Sequence, residues 1–566
     1  MYILGFNCNI HMSAAALIKD GKLIAACEEE RFDRKKYSGD FPRNAILFCC
    51  RQAGITPAEI DEAVFYMKPW LGIVERAAIF AKNFPGSLAT FGKHKHERGT
   101  VEVVAANFLV RRRLKELGFR GRFRFLEHHL AHAASAFFVS PFDEAAILSV
   151  DFAGEIVATY LGRGSQNSIR GLRRINYPDS LGLFYGVLTE YLGYHINGDE
   201  YKVMGLASYG KPVFADVFRK MMTLSPDGGI KMDLSYFQHH TGSDIFFTQK
   251  YVDALGAPPC RSEDDLENQV YRDIAASGQL VFQEAMDHIV DRLKEETGSD
   301  NLCLVGGCAL NSRYNGKLAA RRIFKNIFIQ PAAYDAGCAV GAAFYLWNAI
   351  MGNPRGFVME HAYWGPEYSA GDLLSALAKY DLRYEKSSDA PAAAARLLAD
   401  GKIIGWFQGR CEWGPRALGA RSILADPRAA RMKDVINAKV KFREPYRPFA
   451  PAVLEERTGE YFDWKGSSPY MLFVCDVLPE KRSVIPAVTH VDGTGRIQTV
   501  SRGHNPPYRR LIEEFDKITG VPVILNTSFN RRGEPIVTSP TDAIECFMAT
   551  DIDCLIMGDY ICGKKI

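Results

Sequence analysis

The first 31 residues, MYILGFNCNIHMSAAALIKDGKLIAACEEER (residues 1–31), carry the pattern that decides the fold. MYILGFN is a short apolar run, and two further apolar runs flank the dipeptide Asp20-Gly21. An Asp-Gly pair between apolar runs is a strong signal for a tight hairpin turn. The stretch therefore predicts three successive strands, with a polar loop that contains His11 between the first strand and the second.

A similar phrase, AAILSVDFAGEIVATYLGRG, returns at residues 145–164. It again has an apolar strand, a short polar loop (DFAGE) and a second strand, and helical patterns follow both copies. Two strand–loop–strand units with helices after each predict a duplicated α/β architecture. We expect the actin-like ATPase fold, whose two halves clamp a nucleotide with such hairpin loops.

Helical patterns fill the segments between these units. They include PRNAILFCCRQAG and TPAEIDEAVF after the first hairpin, and a long amphipathic pattern over residues 263–298. Gly and Pro interrupt the pattern at MGNPRGF, residues 351–357, so we place a domain boundary there. Residues 1–355 form the predicted actin-like domain. Residues 356–566, rich in strands and arginine, form a predicted second domain of α+β type.

Bulk composition narrows the class of protein. A chain of 566 residues is too long for one core, and roughly two to four domains are expected. The net charge of +3 favours neither a nucleic-acid partner nor a membrane partner. The N-terminus lacks the pattern of a signal peptide, and no apolar run could span a bilayer. Thirteen scattered cysteines without a CxxC pair predict reduced thiols and a cytoplasmic protein.

Two histidines and two aspartates form a candidate metal site. His128 and His132 are four residues apart, which places both imidazoles on one face of a helix. That spacing alone also fits a pair of histidines at the edge of a core. Asp151 and Asp335 each follow an apolar strand, at the edge of an α/β sheet where ligands bind. Such a set suits Fe(II), Mn(II) or Zn(II), and the sequence does not choose among them.

The second domain carries a candidate anion site. Cations alternate with Pro, Phe, Ile and Leu on predicted strands in GPRALG (414–419), in Arg421 to Arg428, and in NAKVKFREPYR (437–447), which contains Lys439, Lys441, Arg443 and Arg447. Guanidinium groups that are partly buried bind oxyanions well. Asn526 and Ser528 follow the apolar strand VPVIL and supply small hydrogen-bond donors. The pattern predicts a pocket for a polyphosphate or for carbamoyl phosphate.

Nine stretches together resemble the family of nodulation-factor and antibiotic O-carbamoyltransferases. They run in order along nearly the whole chain: GFNCNIHMSAAAL, EEERFDRKKYSGDFP, HHLAHAASAF, GDEYKVMGLASYGKP, VGGCALNSRYNGKL, YDAGCAVGAA, GPRALGARSILADPR, KFREPYRPFAPAV and LNTSFNRRGEPIV. The resemblance implies an actin-like domain of the tRNA-threonylcarbamoylation type and a YrdC-like C-terminal domain. It also implies iron held by His128, His132, Asp151 and Asp335.

The resemblance implies a reaction in two steps. The C-terminal domain would make carbamoyl adenylate from carbamoyl phosphate and ATP, with Mg. The N-terminal domain would then transfer the carbamoyl group to a hydroxyl of a small molecule, such as a secondary metabolite or a glycan. Residues carried over for the first step are Arg416 and Lys441 as catalytic groups, and Arg447, Arg496, Asn526 and Ser528 as binding groups.

For the transfer step we consider three candidate nucleotide loops, GDEYKVMG, VGGCALN and DFAGE. Gly205, Gly306, Gly307 and Asn311 are the nucleotide-binding candidates in the first two. His11 is the candidate general base, because a neutral imidazole titrates near the required pH. The family's DGxGE reads DFAGE here, so Phe152 stands where a glycine would allow close approach of backbone to phosphate. The variable stretches 66–120 and 212–265 are expected to shape the acceptor pocket.

Other functions remain open at this point. The main alternatives are a non-catalytic, actin-like nucleotide-binding regulator and a tRNA-threonylcarbamoylation enzyme. A sugar kinase would leave His128, His132 and the C-terminal domain unexplained. A hydrogenase-maturation carbamoyltransferase would need CxxC zinc motifs and an acylphosphatase segment, which the sequence lacks. A homodimer is implied only by likeness to the family.

Overall fold

The structure is a computed structural model that describes residues 1–85, 87, 100–241 and 243–564. The chain divides into two compact units. The first comprises Met1–Glu29, Tyr37–Asn311 and Leu318–Met359, and the second comprises Glu30–Lys36, Ser312–Lys317 and Glu360–Ile566. The main division, between Met359 and Glu360, lies close to the boundary placed between residues 355 and 356. The two short segments that join the second unit were not anticipated.

The first unit contains twelve strands among the described residues. In chain order they are β1 (Tyr2–Asn7), β2 (Ala14–Lys19), β3 (Lys22–Glu28), β4 (Glu62–Phe65), β5 (Arg122–Phe125), β6 (Glu144–Val150), β7 (Val157–Ser165), β8 (Ser168–Asn176), β9 (Met222–Leu224), β10 (Ile230–Met232), β11 (Asn301–Val305) and β12 (Asn326–Ile329).

Two five-stranded sheets of this unit share one topology. The orders are β3-β2-β1-β4-β5 and β8-β7-β6-β11-β12. In each sheet the first strand in the chain pairs antiparallel with the second and parallel with the fourth. The repeat seen in the sequence is therefore a duplicated sheet, and the predicted actin-like α/β class is confirmed.

Seventeen α-helices occur in the described parts of the chain. They are α1 (Glu30–Asp33), α2 (Arg43–Ala53), α3 (Ile73–Lys82), α4 (Thr100–Glu116), α5 (His128–Phe137), α6 (Leu181–Tyr191), α7 (Glu200–Leu206), α8 (Ala215–Arg219), α9 (Gln249–Leu255), α10 (Gln269–Thr297), α11 (Ser312–Arg321), α12 (Gly337–Phe344), α13 (Ala370–Leu377), α14 (Ala390–Ala399), α15 (Met432–Ile436), α16 (Pro506–Thr519) and α17 (Pro540–Met548). None of the helices in the described residues is both long enough and apolar enough to cross a bilayer.

One predicted helix in the first unit is wrong. TPAEIDEAVF forms a short 3₁₀ turn at Pro57–Glu59 and then strand β4. Strand β4 lies between β1 and β5, and all four of its residues are buried. Burial on both faces suits Ala63, Val64 and Phe65 in a central strand, so tertiary packing outweighs the helical pattern.

Two buried helices form the centre of the first unit. Helix α12 packs against α5 and against strands β1 and β2, and α5 packs against β6 and β11. A Cβ atom placed on Gly341 would lie 1.8 Å from the carbonyl oxygen of Ala131. The glycine therefore permits a close approach of α12 to α5, which fixes the histidines of α5 against the first turn of α12.

The second unit is built on one nine-stranded mixed sheet. Its strands are β13 (Leu382–Lys386), β14 (Ile404–Phe407), β15 (Arg421–Ala425), β16 (Ala450–Leu454), β17 (Phe473–Asp476), β18 (Thr494–Val500), β19 (Val523–Ser528), β20 (Cys554–Met557) and β21 (Tyr560–Lys564). The order is β13-β21-β20-β14-β15-β19-β16-β18-β17. Helices α14 and α16 pack together beside this sheet, over a core that includes Trp406 and Phe515. This confirms the predicted α+β class.

Candidate functional site

The four predicted metal ligands come together in the first unit. His128 and His132 lie one turn apart on α5, Asp151 directly follows β6, and Asp335 lies in the turn before α12. One donor atom from each of the four residues lies within 4.8 Å of all the others. The His132 Nε2 atom is 2.9 Å from Asp151 Oδ2 and 3.6 Å from Asp335 Oδ1. His128 Nε2 is 3.3 Å and 3.9 Å from the same oxygens.

Backbone amides and a tyrosine orient the two carboxylates. Asp151 Oδ1 accepts hydrogen bonds from the backbone N–H of Phe152 (2.9 Å) and of Gly307 (3.2 Å), which leaves Oδ2 directed at the histidines. The Tyr66 hydroxyl donates to Asp335 Oδ2 over 3.4 Å. Partners of this kind fix the direction of metal-ligating groups.

The charges of the site favour a cation between the four side chains. Burial lowers the pKa of His132, but the interactions with Cys338, Asp151 and Asp335 outweigh it and raise the pKa well above its ordinary value. Burial raises the pKa of Asp151, but its hydrogen bonds with His128 and His132 hold the pKa well below its ordinary value. Two carboxylates thus attract positive charge to a buried place, which a divalent cation can supply.

The middle histidine of the HHLAH stretch has a structural role. His129 is fully buried, with Nδ1 2.9 Å from Ser149 Oγ and Nε2 2.9 Å from the Val157 carbonyl oxygen. Both ring nitrogens are therefore used by the core of the protein. Helical geometry explains the difference, because His128 and His132 share a face that His129 does not.

The residue types and their separations fit a metal ion. Imidazole nitrogens and carboxylate oxygens bind Fe(II), Mn(II) or Zn(II) at roughly 2.0–2.2 Å, and the observed separations allow all four donors to reach one ion. The structure thus shows a possible metal site and leaves the identity of the metal open.

Two of the predicted nucleotide loops adopt different conformations in the structure. GDEYKVMG is mainly helix, because α7 begins at Glu200 and places Gly205 inside it, so the expectation of a loop is wrong there. Glu, Lys, Met and Leu all favour helix, which explains this outcome. VGGCALN is a turn after β11. Its Asn311 exchanges amide hydrogen bonds with Gln279 (3.1 and 3.3 Å).

Gly306 and Gly307 pack against the segment that carries the candidate metal ligand Asp151. Gly306 has φ of +91°, and a Cβ atom there would lie 2.2 Å from the Val150 carbonyl oxygen. A Cβ atom on Gly307 would lie 2.9 Å from Asp151 Oδ1. These glycines therefore allow the turn after β11 to lie directly against the loop after β6.

The loop residue Phe152 fits without strain. Its φ is not positive, so the position does not need a glycine's freedom. Its ring lies 6.4 Å from that of Phe246, and its backbone N–H still binds Asp151. The departure from the family pattern therefore leaves the aspartate in place.

His11 lies half-buried in the loop between β1 and β2. Of the stretches expected to shape the acceptor pocket, residues 86, 88–99 and 242 lie outside the described residues.

A cluster of arginines forms the candidate anion site in the second unit. Burial lowers the pKa of Arg496 well below its ordinary value, and repulsion from Arg416, Arg443 and Arg447 lowers it further. An arginine stays protonated in proteins, so the repulsion indicates that positive charge is concentrated around these half-buried side chains. Arg447 lies 3.6 Å from the carboxylate of Glu444.

Lys441 lies beside the arginine cluster. The predicted strand is wrong at this point, because Asn437–Lys441 is a helical turn continuous with α15. The ammonium is 3% exposed and donates to the Ser528 carbonyl and hydroxyl oxygens and to Asn530 Oδ1 (2.7 Å). Burial, followed by repulsion from Arg443, holds the pKa of Lys441 well below its ordinary value.

Asn526 links the cluster to a neighbouring cavity. Its amide donates to the Ala417 carbonyl (3.0 Å), next to Arg416, and to Gln498 Oε1 (2.8 Å). Gln498 in turn lines a small cavity, with Tyr363, Tyr470 and Asn505 among the other lining residues. Arg496 and Gln498 lie two residues apart on β18 and therefore face the same side of the sheet.

Two arginines that were predicted to bind the anion make hydrogen bonds or an ion pair within the protein. Arg421 is fully buried, donates to the carbonyl oxygens of Gln408 and Gly409, and lies over the Phe407 ring at 3.7 Å. Arg428 is paired with Asp426 at 2.7 Å. Neighbouring acceptors thus occupy several N–H groups of these two cations, so they are less available to an anion than the arginines of the cluster.

Sequence reasoning missed a buried acid in this unit. Glu412 is fully buried, and its Oε1 atom accepts from the backbone N–H groups of Leu418 (2.8 Å), Ala420 (2.8 Å) and Arg421 (3.0 Å). It thereby shapes the loop that carries Arg416. The signal was available, since a glutamate between Cys411 and Trp413 is an acid in an apolar surrounding.

Comparison with known proteins identifies the family to which the chain belongs. The Carbamoyltransferase N-terminus family matches residues 2–344, and the Carbamoyltransferase C-terminus family matches residues 395–564. The chain therefore belongs to the carbamoyltransferase family and is a carbamoyltransferase enzyme.

Three relatives show how far the likeness extends. An uncharacterized protein of Synechocystis sp. is 42% identical over all of this chain and 97% of its own length. Nodulation protein NolNO of Sinorhizobium fredii is 40% identical over 99% of this chain and 80% of its own length. Nodulation protein NolO of Bradyrhizobium diazoefficiens is 42% identical over 78% of this chain and 79% of its own length.

Proposed function

We propose that the enzyme makes carbamoyl adenylate from carbamoyl phosphate and ATP and then transfers the carbamoyl group to a hydroxyl of a small molecule. Formation of the adenylate is assigned to the YrdC-like domain, residues 356–566. The half-buried cluster of Arg416, Arg496 and their neighbours is the observation that supports this assignment. ATP and carbamoyl phosphate are both multiply anionic, so their approach needs concentrated positive charge.

The residues of the second unit have separable roles in this step. Water first hydrolyses carbamoyl phosphate to carbamate and inorganic phosphate, which leaves. A carbamate oxygen then forms a bond to the α-phosphorus of ATP as the bond to pyrophosphate breaks. Arg416, Arg447 and Arg496 offset the repulsion between the reactants. Lys441, whose pKa is lowered by burial and by Arg443, offsets charge on the departing pyrophosphate, and the oxyanions in turn favour its charged form. Ser528 and Asn526 orient phosphate oxygens, and the cavity beside Gln498 accommodates the nucleoside.

The transfer step is assigned to residues 1–355. His11 removes the proton from the acceptor hydroxyl, which attacks the carbamoyl carbon as the bond to AMP breaks. Gly205, Gly306, Gly307 and Asn311 bind the adenylate. His128, His132, Asp151 and Asp335 hold the metal, for which we propose Fe(II). Such an ion supplies Lewis-acid polarisation of a carbonyl or phosphoryl oxygen.

Several finer points belong to the same proposal. The acceptor is a secondary metabolite or a glycan, Mg accompanies ATP, and the enzyme acts in the cytoplasm as a homodimer. Membership of the carbamoyltransferase family supports carbamoyl transfer as the reaction. Free carbamate does not need to leave the enzyme in this scheme, because adenylate formation consumes it.

ATP–pyrophosphate exchange tests the first step. We expect exchange that depends on carbamoyl phosphate in the wild-type enzyme and its loss in Lys441→Ala. Lys465→Ala, which removes an exposed lysine of the same unit, is the matched control and retains exchange. If folded wild-type protein shows no exchange with or without carbamoyl phosphate, adenylate formation is excluded and the regulator alternative gains support.

A further inference from the structure

A third kind of donor lies beside the histidine pair. His128, His132 and Cys338 each offer a ligand atom, and the three atoms lie within 4.8 Å of one another. All three residues are buried, with Cys338 0% exposed. The same two imidazoles therefore belong to two donor sets, one completed by two carboxylates and the other by a thiol.

The fold explains why the thiol reaches this position. Cys338 follows the ligand Asp335 by three residues, and its backbone N–H donates to the Asp335 carbonyl oxygen at 2.9 Å. This single turn places both side chains on one side of the start of α12. The close approach at Gly341, described above, brings that turn against His132 on α5.

We propose that Cys338 is an additional metal ligand of this centre, which binds the ion together with His128 and His132. The inference rests on the metal centre of the proposed function. It assigns a residue to that centre that the four-residue pattern does not include. The incoming divalent cation displaces the thiol proton to solvent as the metal–sulfur bond forms, and no oxidant or reductant is needed.

A sulfur ligand changes which metal ions the centre prefers. Carboxylate oxygens suit Mn(II) and Mg(II), whereas thiolates favour Zn(II), Co(II) and Fe(II). A thiolate therefore shifts the selectivity of the centre away from hard ions.

The separations are compatible with a common ion. Metal–sulfur and metal–nitrogen bonds are about 2.3 and 2.1 Å long, so two donors of one ion lie at most about 4.4 Å apart. The upper limit of 4.8 Å holds among the donor atoms of His128, His132 and Cys338, so a small side-chain adjustment brings the sulfur and the two imidazoles to one ion.

Cobalt substitution is the decisive experiment. Metal-free protein is loaded with one equivalent of Co(II), and its visible and near-ultraviolet spectra are recorded. We expect visible ligand-field bands together with a sulfur-to-cobalt charge-transfer band. Ligand-field bands without the charge-transfer band overturn the assignment of Cys338 and leave the four-residue centre intact. No cobalt uptake contradicts the metal centre itself, and with it this inference, while pyrophosphate exchange still tests adenylate formation separately.

Variants identify which cysteine supplies the sulfur. Cys338→Ser should lose the charge-transfer band, keep the ligand-field bands, and lower the preference for Zn(II) over Mn(II) by about tenfold or more. Cys303→Ser removes another fully buried thiol of the same unit and should keep both features. A charge-transfer band that survives in Cys338→Ser overturns the assignment. If that variant fails to fold, Cys338→Ala is measured in its place, and the wild-type spectrum alone still decides whether sulfur binds.

Discussion

At the scale of single residues, Glu412 controls the loop that carries Arg416. One of its carboxylate oxygens accepts from three backbone N–H groups. Removal of the carboxylate by Glu412→Ala leaves those buried donors without acceptors. We therefore expect the free energy of unfolding to fall by about 3 kcal/mol or more, and exchange to weaken because Arg416 loses its position. Denaturant unfolding measures the first effect.

A conservative variant and a control variant show whether the three hydrogen bonds of Glu412 account for the loss of stability. Glu412→Gln keeps an oxygen acceptor and should recover part of the stability. Glu480→Ala, an exposed acid of the same unit, should change stability by less than about 0.5 kcal/mol. Equal stability of Glu412→Ala and wild type would contradict the role given to the three hydrogen bonds.

The histidine pair allows a second residue-scale prediction. His132→Ala removes one donor from the four and should weaken binding of divalent metal at least about 100-fold, as measured by competition with a chelating dye. His129→Gln is the control, because His129 bonds to Ser149 and to the Val157 carbonyl and not to the carboxylates. Equal losses of affinity in the two variants would show that the helix, and not the ligand pair, determines the effect.

The sequence could predict some of these residues and not others. Spacing on a helix and positions after strands were enough to bring four donors into one hypothesis. The same reasoning could not separate Arg421 from Arg416, since both are arginines in one apolar stretch. Only the tertiary structure shows that carbonyl oxygens occupy the Arg421 guanidinium. Acceptors far away in sequence leave no local pattern.

At the scale of elements, the turn after β11 depends on a close backbone approach. Gly306→Ala places a Cβ atom 2.2 Å from the Val150 carbonyl oxygen, next to Asp151. Gly298→Ala is the matched control, because Gly298 also has positive φ but has open space around it. Both variants suffer the backbone penalty of about 1–2 kcal/mol. We expect Gly306→Ala to lose about 2 kcal/mol more from the clash, and to bind metal more weakly because Asp151 shifts. Equal unfolding free energies for the two variants would refute the clash.

Elements were predictable where a local signal agrees with the fold. Asp20 and Gly21 both have positive φ, as the hairpin turn requires, and the long helix α10 lies within the predicted pattern. The errors at β4 and at Asn437–Lys441 have one physical origin. Each is a short segment whose local preference is weak, so the neighbouring strands and helices decide its conformation. Helix α7, in contrast, follows the helix preference of its own residues.

At the scale of the whole molecule, the cation cluster and the candidate metal site lie in different compact units. If each unit performs its own step, the two half-reactions can be lost independently. Asp151→Asn weakens the metal site without altering the arginine cluster, whereas Lys441→Ala alters the cluster without touching the metal ligands. Each of the two variants therefore alters one site and leaves the other site unchanged.

We expect Asp151→Asn to keep carbamoyl-phosphate-dependent ATP–pyrophosphate exchange within about twofold of wild type and to lose carbamoyl transfer by at least about 100-fold. Lys441→Ala should lose both activities, because transfer consumes the product of the first step. His11→Asn should resemble Asp151→Asn in rate yet retain metal, since His11 acts on the acceptor proton. Exchange follows labelled pyrophosphate, and transfer follows AMP release in the presence of a hydroxyl acceptor. Loss of exchange in folded Asp151→Asn would mean that adenylate formation also requires the first unit, and the division of labour between the units would have to be abandoned.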